Sequence, residues 1–212
     1  MAGSYDFEEQ ERIAELRAWW EDNRVYVIAA AVALVVGIAG WEGYKAWKAR
    51  RMEDAAMMYR PVAQAAKDND PKKVSDAGKA LMEKHPSSFY ASETALIVAK
   101  NAFDAGNLPE AATRYQWVMD HGVDELRGVA RLRLAAVQLE QKKFDEALKT
   151  LDGNKEEAFV AAVADLRGDV MLAQGRIDEA RAAYKLATEK AGPRAPVKML
   201  AENKLAALGG AQ

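Results

Sequence analysis

From Val25 to Trp41 the chain runs seventeen residues with no ionisable side chain other than the Tyr26 phenol. Elsewhere it is polar, with 29% charged residues and a mean hydropathy of -0.30. As a helix rising 1.5 Å per residue, the run is roughly 25 Å long, slightly short of a hydrocarbon core of about 30 Å. Its flanks supply the difference. Trp19, Trp20 and Tyr26 lie at one end and Trp41, Tyr44 and Trp47 at the other, so four of the five tryptophans bracket this one segment. Amphipathic rings settle at membrane interfaces, and Lys45 and Lys48 can reach water along their alkyl stems. The pattern predicts a retained single-pass anchor, a transmembrane helix over 25–44 in lipid, behind an acidic tail over 1–24. A soluble core helix rarely stays uncharged this long. A cleaved signal peptide needs a short basic leader and a small-residue cleavage site, and this leader is 24 residues long and acidic.

Two finer expectations attach to the anchor. Ala29, Ala33 and Gly37 recur every four residues, a ridge of small side chains that lets a second helix approach closely. Plain abundance of alanine gives the same pattern. Orientation follows from flanking charge, and Lys45, Lys48, Arg50, Arg51 and Arg60 outnumber the cations before the span. Read literally, the positive-inside rule puts the larger domain in the cytoplasm, although the rule weakens for long translocated domains.

Beyond Arg51 the sequence reads as helix almost throughout, broken at Gly, Pro and Asn. Three segments align: NLPEAATRYQWVM, KFDEALKTL and RIDEARAAYKLA, with a weaker copy, KVSDAGKALMEKHP, upstream. Each has a bulky residue (Val74, Leu108, Phe144, Ile177) three before a marker alanine (Ala77, Ala111, Ala147, Ala180), and the markers are spaced 34, 36 and 33 apart. Twelve residues before each marker stands another small residue: Ala65, Ala99, Ala135 and Gly168. Antiparallel helices pack closely only where both offer a small side chain at the crossing. The pairing is therefore the tetratricopeptide signature of helix-turn-helix units. DAGN, EQKK and AQGR fall between the helices of a pair, and Ala195 to Leu208 reads as a closing helix. The expected fold is all-α: one transmembrane helix, then over 45–212 a tetratricopeptide-like α-solenoid of about four helical hairpins.

The sequence offers little chemistry. There is no cysteine, which excludes disulfides and thiolate sites, and the two histidines, His85 and His121, sit at predicted helix ends without the neighbours a metal needs. No phosphate-binding loop is present, and a net charge of -2 without a dense basic patch excludes a nucleic-acid binder. No cofactor and no enzymatic activity are expected. What remains is binding along the first helix of each unit. The repeat register places Glu93, Leu96, Lys100, Phe103, Val129, Leu132, Ala136, Leu139, Asp165, Asp169 and Leu172 toward a protein-binding groove, an apolar strip with charged margins suited to a peptide or helix.

Taken together, the acidic tail, the Trp19-Trp20-Glu-Asp-Asn23 entry to the span, the Trp41 to Trp47 exit and the repeats resemble the YfgM family, ancillary subunits of the SecYEG translocon of Gram-negative bacteria. The double tryptophan is the most specific element, since the repeats alone match many scaffolds. The resemblance implies an inner-membrane protein with a cytoplasmic N-terminus and periplasmic repeats, opposite to the flank-charge reading. It implies association with SecYEG and with a membrane-anchored, PpiD-like chaperone, and a role in passing emerging polypeptides, as unfolded clients, to periplasmic chaperones. Competing readings are a tetratricopeptide scaffold of another envelope assembly, or a regulator with one dedicated partner.

Overall fold

The computed structural model describes residues 3–209. Among them there is no strand. The helices are α1 (Gly3–Lys67), α2 (Pro71–Lys84), α3 (Phe89–Asp104), α4 (Leu108–His121), α5 (Asp124–Glu140), α6 (Phe144–Asp152), α7 (Val160–Ala173), α8 (Ile177–Lys190) and α9 (Pro196–Ala207), with a single 3-10 turn at Glu157–Phe159 before α7. The chain forms two compact units, Met1–Arg51 and Met52–Gln212. From Met52 to Lys67, α1 is the opening helix of the second unit.

The first unit is one helix without a partner. From Glu11 to Arg50 only Asn23 and Val27 are even partly covered. Its apolar stretch is long enough to cross a membrane, and none of it is buried against protein. Such a surface is stable in lipid, where the helix satisfies its own backbone hydrogen bonds. At the far end of the stretch the aromatic rings form a ladder: Trp41 and Tyr44 are 6.3 Å apart, Tyr44 and Trp47 6.1 Å, and the Arg51 guanidinium lies 5.0 Å from the Trp47 ring.

The second unit is the predicted solenoid. Each connector within a pair ends its first helix in the same way. The residue in the left-handed region is Asn69, Gly106, Lys142 and Gly175 in turn, with φ of 50°, 76°, 60° and 76°. The next amide donates back five residues: Asp70 to the Ala65 carbonyl, Asn107 to Ala102, Lys143 to Gln138 and Arg176 to Met171. These are Schellman caps, and glycine suits them because it has no Cβ to clash. Asn69 and Lys142 hold the same conformation without that relief. Two of the second helices are capped by side chains, Asp70 accepting from the Lys73 amide at 3.0 Å and Asn107 from the Glu110 amide at 3.3 Å, whereas Lys143 and Arg176 before α6 and α8 give no such bond.

These caps correct the register of the first unit. The marker alanines Ala111, Ala147 and Ala180 each stand five residues after a left-handed residue, and five after Asn69 comes Val74, not Ala77. The first crossing is therefore Val62 against Val74, both buried in one cluster, whereas Ala77 is partly exposed. Crossings in the later units follow the expectation, with Ala99, Ala111, Ala135, Ala147 and Ala180 fully buried. At Gly168 the fit is tightest, since a Cβ there would stand 2.3 Å from Cε1 of Tyr184. Polar contacts pin the connectors that leave each pair. Buried His85 bonds Asp54 at 2.9 Å, the Ser92 hydroxyl accepts from the Val123 amide at 3.1 Å, and Asn154 donates to the Gly128 carbonyl at 3.0 Å. His121, by contrast, is exposed and stacks on Trp117 with ring centres 5.1 Å apart. Both histidines thus have structural partners at helix ends.

Candidate protein-binding groove

The projected groove residues lie on the first helices of successive pairs. Glu93, Leu96, Lys100 and Phe103 are on α3, Val129, Leu132, Ala136 and Leu139 on α5, and Asp165, Asp169 and Leu172 on α7. None of them is buried. Leu96 and Phe103 pack one side against buried core residues and keep the other open, so at these two positions groove and core share a side chain.

Four of them meet. Leu96, Lys100, Phe103 and Ala136 line a cavity of about 240 Å³, joined by Asp104, Tyr115 and Arg133. Its walls are apolar and its rim is charged. The Lys100 ammonium pairs with Asp104 one turn on, while Arg133 forms no ion pair among the described residues. Burial raises the Tyr115 phenol above its ordinary range, with Arg133 opposing and Asp104 adding to the shift. Arg133, Tyr115 and Asp104 were outside the projected set. Arg133 is one turn before Ala136 and was legible by helical spacing. Tyr115 comes from the second helix α4, which a reading confined to first helices omits.

Glu93 stands apart, beside two tyrosines. The Tyr59 and Tyr90 rings are 5.2 Å apart, and burial together with the Glu93 carboxylate pushes the Tyr59 phenol up to about 12. Asp165 and Asp169 have a different environment. The Lys204 ammonium of α9 lies 2.9 Å from Asp165 and 2.7 Å from Asp169, and the Tyr184 hydroxyl donates to Asp169 at 2.8 Å. Burial raises the Asp165 carboxyl above its ordinary value, although Lys204 pulls the other way. Leu172, 38% exposed, remains open to solvent. A second cleft, about 480 Å³, lies between α4 and α6 over α5, with Trp117, Leu134 and Gln138 among its lining. In the first unit, Ala29, Ala33 and Gly37 are all exposed. Among the described residues no cluster of His, Asp and Glu has the spacing of a metal site.

Residues 17–210 match the family model described as a tetratricopeptide repeat-like domain. The "Ancillary SecYEG translocon subunit" of Aggregatibacter actinomycetemcomitans is 30% identical over 190 residues, covering 89% of this chain and 93% of that protein. The protein of the same name from Escherichia coli K12 is 30% identical over 181 residues, 84% of this chain and 85% of the relative. The chain belongs to this family of ancillary SecYEG translocon subunits. The match runs from the tryptophan-flanked anchor through the last helix, so it covers both units. The ancillary-subunit family is one of protein-interaction scaffolds rather than enzymes. A solved structure, MamA from Desulfovibrio magneticus RS-1, superposes with a TM-score of 0.59 at 18% identity, over 74% of this chain and 85% of that one. At that identity the likeness establishes the helical-repeat fold alone.

Proposed function

We propose that the chain is a non-enzymatic, single-pass inner-membrane subunit that associates with the SecYEG translocon and passes emerging polypeptides to periplasmic chaperones. Residues 1–24 form a cytoplasmic tail, 25–44 the span and 45–212 the periplasmic binding domain. The observation that carries the reading is the extent of the match to ancillary SecYEG translocon subunits, which includes the anchor as well as the repeats. The cavity of Leu96, Phe103 and Ala136 supports the client-binding part, since it offers an apolar recess for a side chain of an unfolded segment, with Arg133 and Lys100 at its rim. The ridge Ala29, Ala33 and Gly37 supplies the contact with a neighbouring span, that of a translocon subunit or of a membrane-anchored, PpiD-like chaperone.

Two experiments test this. Co-purification in mild detergent is expected to recover translocon subunits with the native chain and fewer with a chain whose span is replaced by an unrelated one. Recovery of none with the native chain sinks the proposal. Because the chain has no cysteine, single thiols at Ser4 and Gln212 report orientation cleanly. An impermeant maleimide is expected to reach residue 212 across the outer envelope, and labelling at residue 4 instead reverses the orientation.

A further inference from the structure

The cavity of about 240 Å³ lined by α3, α4 and α5 holds a polar group that the fold leaves unused. Tyr115 is 4% exposed, its ring packed in one cluster with Ala99, Ala111, Leu134 and Val137. A phenol buried this far ordinarily finds a hydrogen-bond partner, yet the Tyr115 hydroxyl has none among the described residues. Nor is it sealed off. The side-chain atoms there that are both enclosed and unbonded are Gln138 Oε1, Asn154 Oδ1 and Asp165 Oδ1. The hydroxyl therefore opens onto the cavity that Tyr115 lines. Arg133 stands at the same rim, exposed and without an ion pair among the described residues. One turn away on α5 are Val129, Ala130, Ala136 and Val137, none of them acidic. Lys100 and Asp104 neutralise each other, so the rim keeps one unbalanced positive charge beside an unused hydroxyl donor.

Those two groups suit a carboxylate. A guanidinium binds it through paired N–H donors, and the phenol can donate one bond more. The walls, Leu96, Phe103 and Ala136, suit an apolar side chain. In an extended segment neighbouring side chains point to opposite sides, so an internal acidic residue and its apolar neighbour cannot both enter one recess. The last residue of a chain carries both groups on a single Cα. We propose that the cavity is a subsite for the free C-terminus of a polypeptide that ends in a large apolar residue. Arg133 and the Tyr115 hydroxyl hold its α-carboxylate, and Leu96, Phe103 and Ala136 receive its side chain. The proposal rests on the client-binding reading above and names the part of the client that is held. Lys100 is not needed for it, because Asp104 already pairs with that ammonium.

The test uses the full chain in phosphatidylcholine nanodiscs and short fluorescent peptides. One ends in phenylalanine with a free carboxylate, the second is its C-terminal amide, and the third is amidated with adjacent internal phenylalanine and glutamate. Saturable binding of the free acid is expected, at least about tenfold tighter than that of either amide. Arg133→Gln should remove the difference by weakening the acid alone. Tyr115→Phe should weaken the acid roughly threefold or more and leave the melting temperature unchanged, because the hydroxyl it removes has no partner in the free protein. A fall in melting temperature would make that hydroxyl structural and overturn its assignment. Equal affinity for acid and amide, both weakened by Ala136→Leu, overturns the proposal and leaves an apolar client-binding recess standing. Tighter binding of the internal pair, or a preference for the acid that survives Arg133→Gln, also overturns it. So does absence of saturable binding, in which case translocon co-purification remains the separate measure of the proposed function.

Discussion

The α3–α5 part of the solenoid and its α7–α9 end share one backbone plan and use the same positions in opposite ways. Leu96 and Asp165 are equivalent, as are Lys100, Ala136 and Asp169. In the first region these positions line an open cavity with Arg133 unpaired at its rim. In the second they are carboxylates bound by Lys204 and Tyr184. Repeat geometry therefore creates a concave surface everywhere, and side-chain chemistry decides where that surface is consumed by the fold and where it is left for a partner. Removing the groups that tie the α7–α9 end together should lower stability, whereas changes at Ala136 or Arg133 of the α3–α5 cavity should leave stability alone and affect binding.

The strongest way to break this contrast is at Tyr184. Its side chain is fully buried, rests against Gly168 and holds Asp169. Tyr184→Ala should cost about 4 kcal/mol, in the range of other buried aromatic truncations. Urea unfolding of the full chain in nanodiscs checks it, and a loss below about 1 kcal/mol would mean that α7, α8 and α9 do not form one cooperative block. Lys204→Met is the next step down. Removing one member of a buried ion pair costs about 3–5 kcal/mol. With side-chain exposures of 30%, 13% and 29% for Lys204, Asp165 and Asp169, solvent reduces the expectation to about 2 kcal/mol. Burial lowers the Lys204 pKa, but the two carboxylates outweigh it and the net shift is upward. The stability this lysine contributes is therefore present below its unfolded value and lost as pH rises through the raised one. A melting curve repeated at increasing alkaline pH should converge on that of Lys204→Met.

How much of this was legible beforehand depends on which residues carried the signal. The small-residue pairs such as Ala99 with Ala111 located three crossings correctly, because close packing allows few alternatives there. The first unit was read three residues out of register. Its crossing uses Val62 and Val74, and a search for alanine settled on Ala65 and Ala77 instead. The backbone signal, a left-handed residue in each connector, was hidden because Asn69 and Lys142 occupy a conformation that only Gly106 and Gly175 advertise in sequence. The groove was legible as a set of exposed positions but not as a cavity. Tyr115 and Arg133 complete it, and which second-helix side chain reaches over depends on packing rather than on period. The fate of Asp165 and Asp169 was set by Lys204, far along the chain, and no local pattern links them.

The connectors sharpen the comparison at a smaller scale. Gly175→Ala, at φ 76° in the closed region, should cost about 1 kcal/mol, because a Cβ is strained in the left-handed region. Lys142→Gly, at φ 60° beside the open region, should gain up to about 1 kcal/mol by relieving the same strain. Opposite signs in the two urea titrations would confirm that the caps are equivalent. Asp165→Asn tests a weaker effect at the closed end. Since burial raises this carboxyl, its favourable contribution is present below the unfolded value near 3.8 and lost as pH rises through the folded one. One of its oxygens has no hydrogen-bond partner, in keeping with that direction. The variant should be more stable than the parent at pH 7, by up to about 1 kcal/mol, and indistinguishable from it at pH 3.

The smallest expected effect on stability is the most informative about function. Ala136 is partly exposed, lines the α3–α5 cavity and makes no polar contact. Ala136→Leu adds apolar volume to a recess of about 240 Å³ without displacing a buried neighbour. Surface changes of this kind stay within about 0.5 kcal/mol, so the urea midpoint should hardly move. If the recess receives side chains of unfolded segments, filling it should weaken capture of a permanently unfolded probe, such as reduced and carboxymethylated α-lactalbumin, by about tenfold or more. Arg133→Glu should weaken capture of acidic unfolded segments while sparing basic ones, because it reverses the rim charge without closing the recess. A chain that loses stability on Ala136→Leu would place that residue in the core and remove the distinction between the two regions. A chain that keeps both its stability and its capture of the probe would leave the open cavity without a client and shift the binding role to another face of the solenoid.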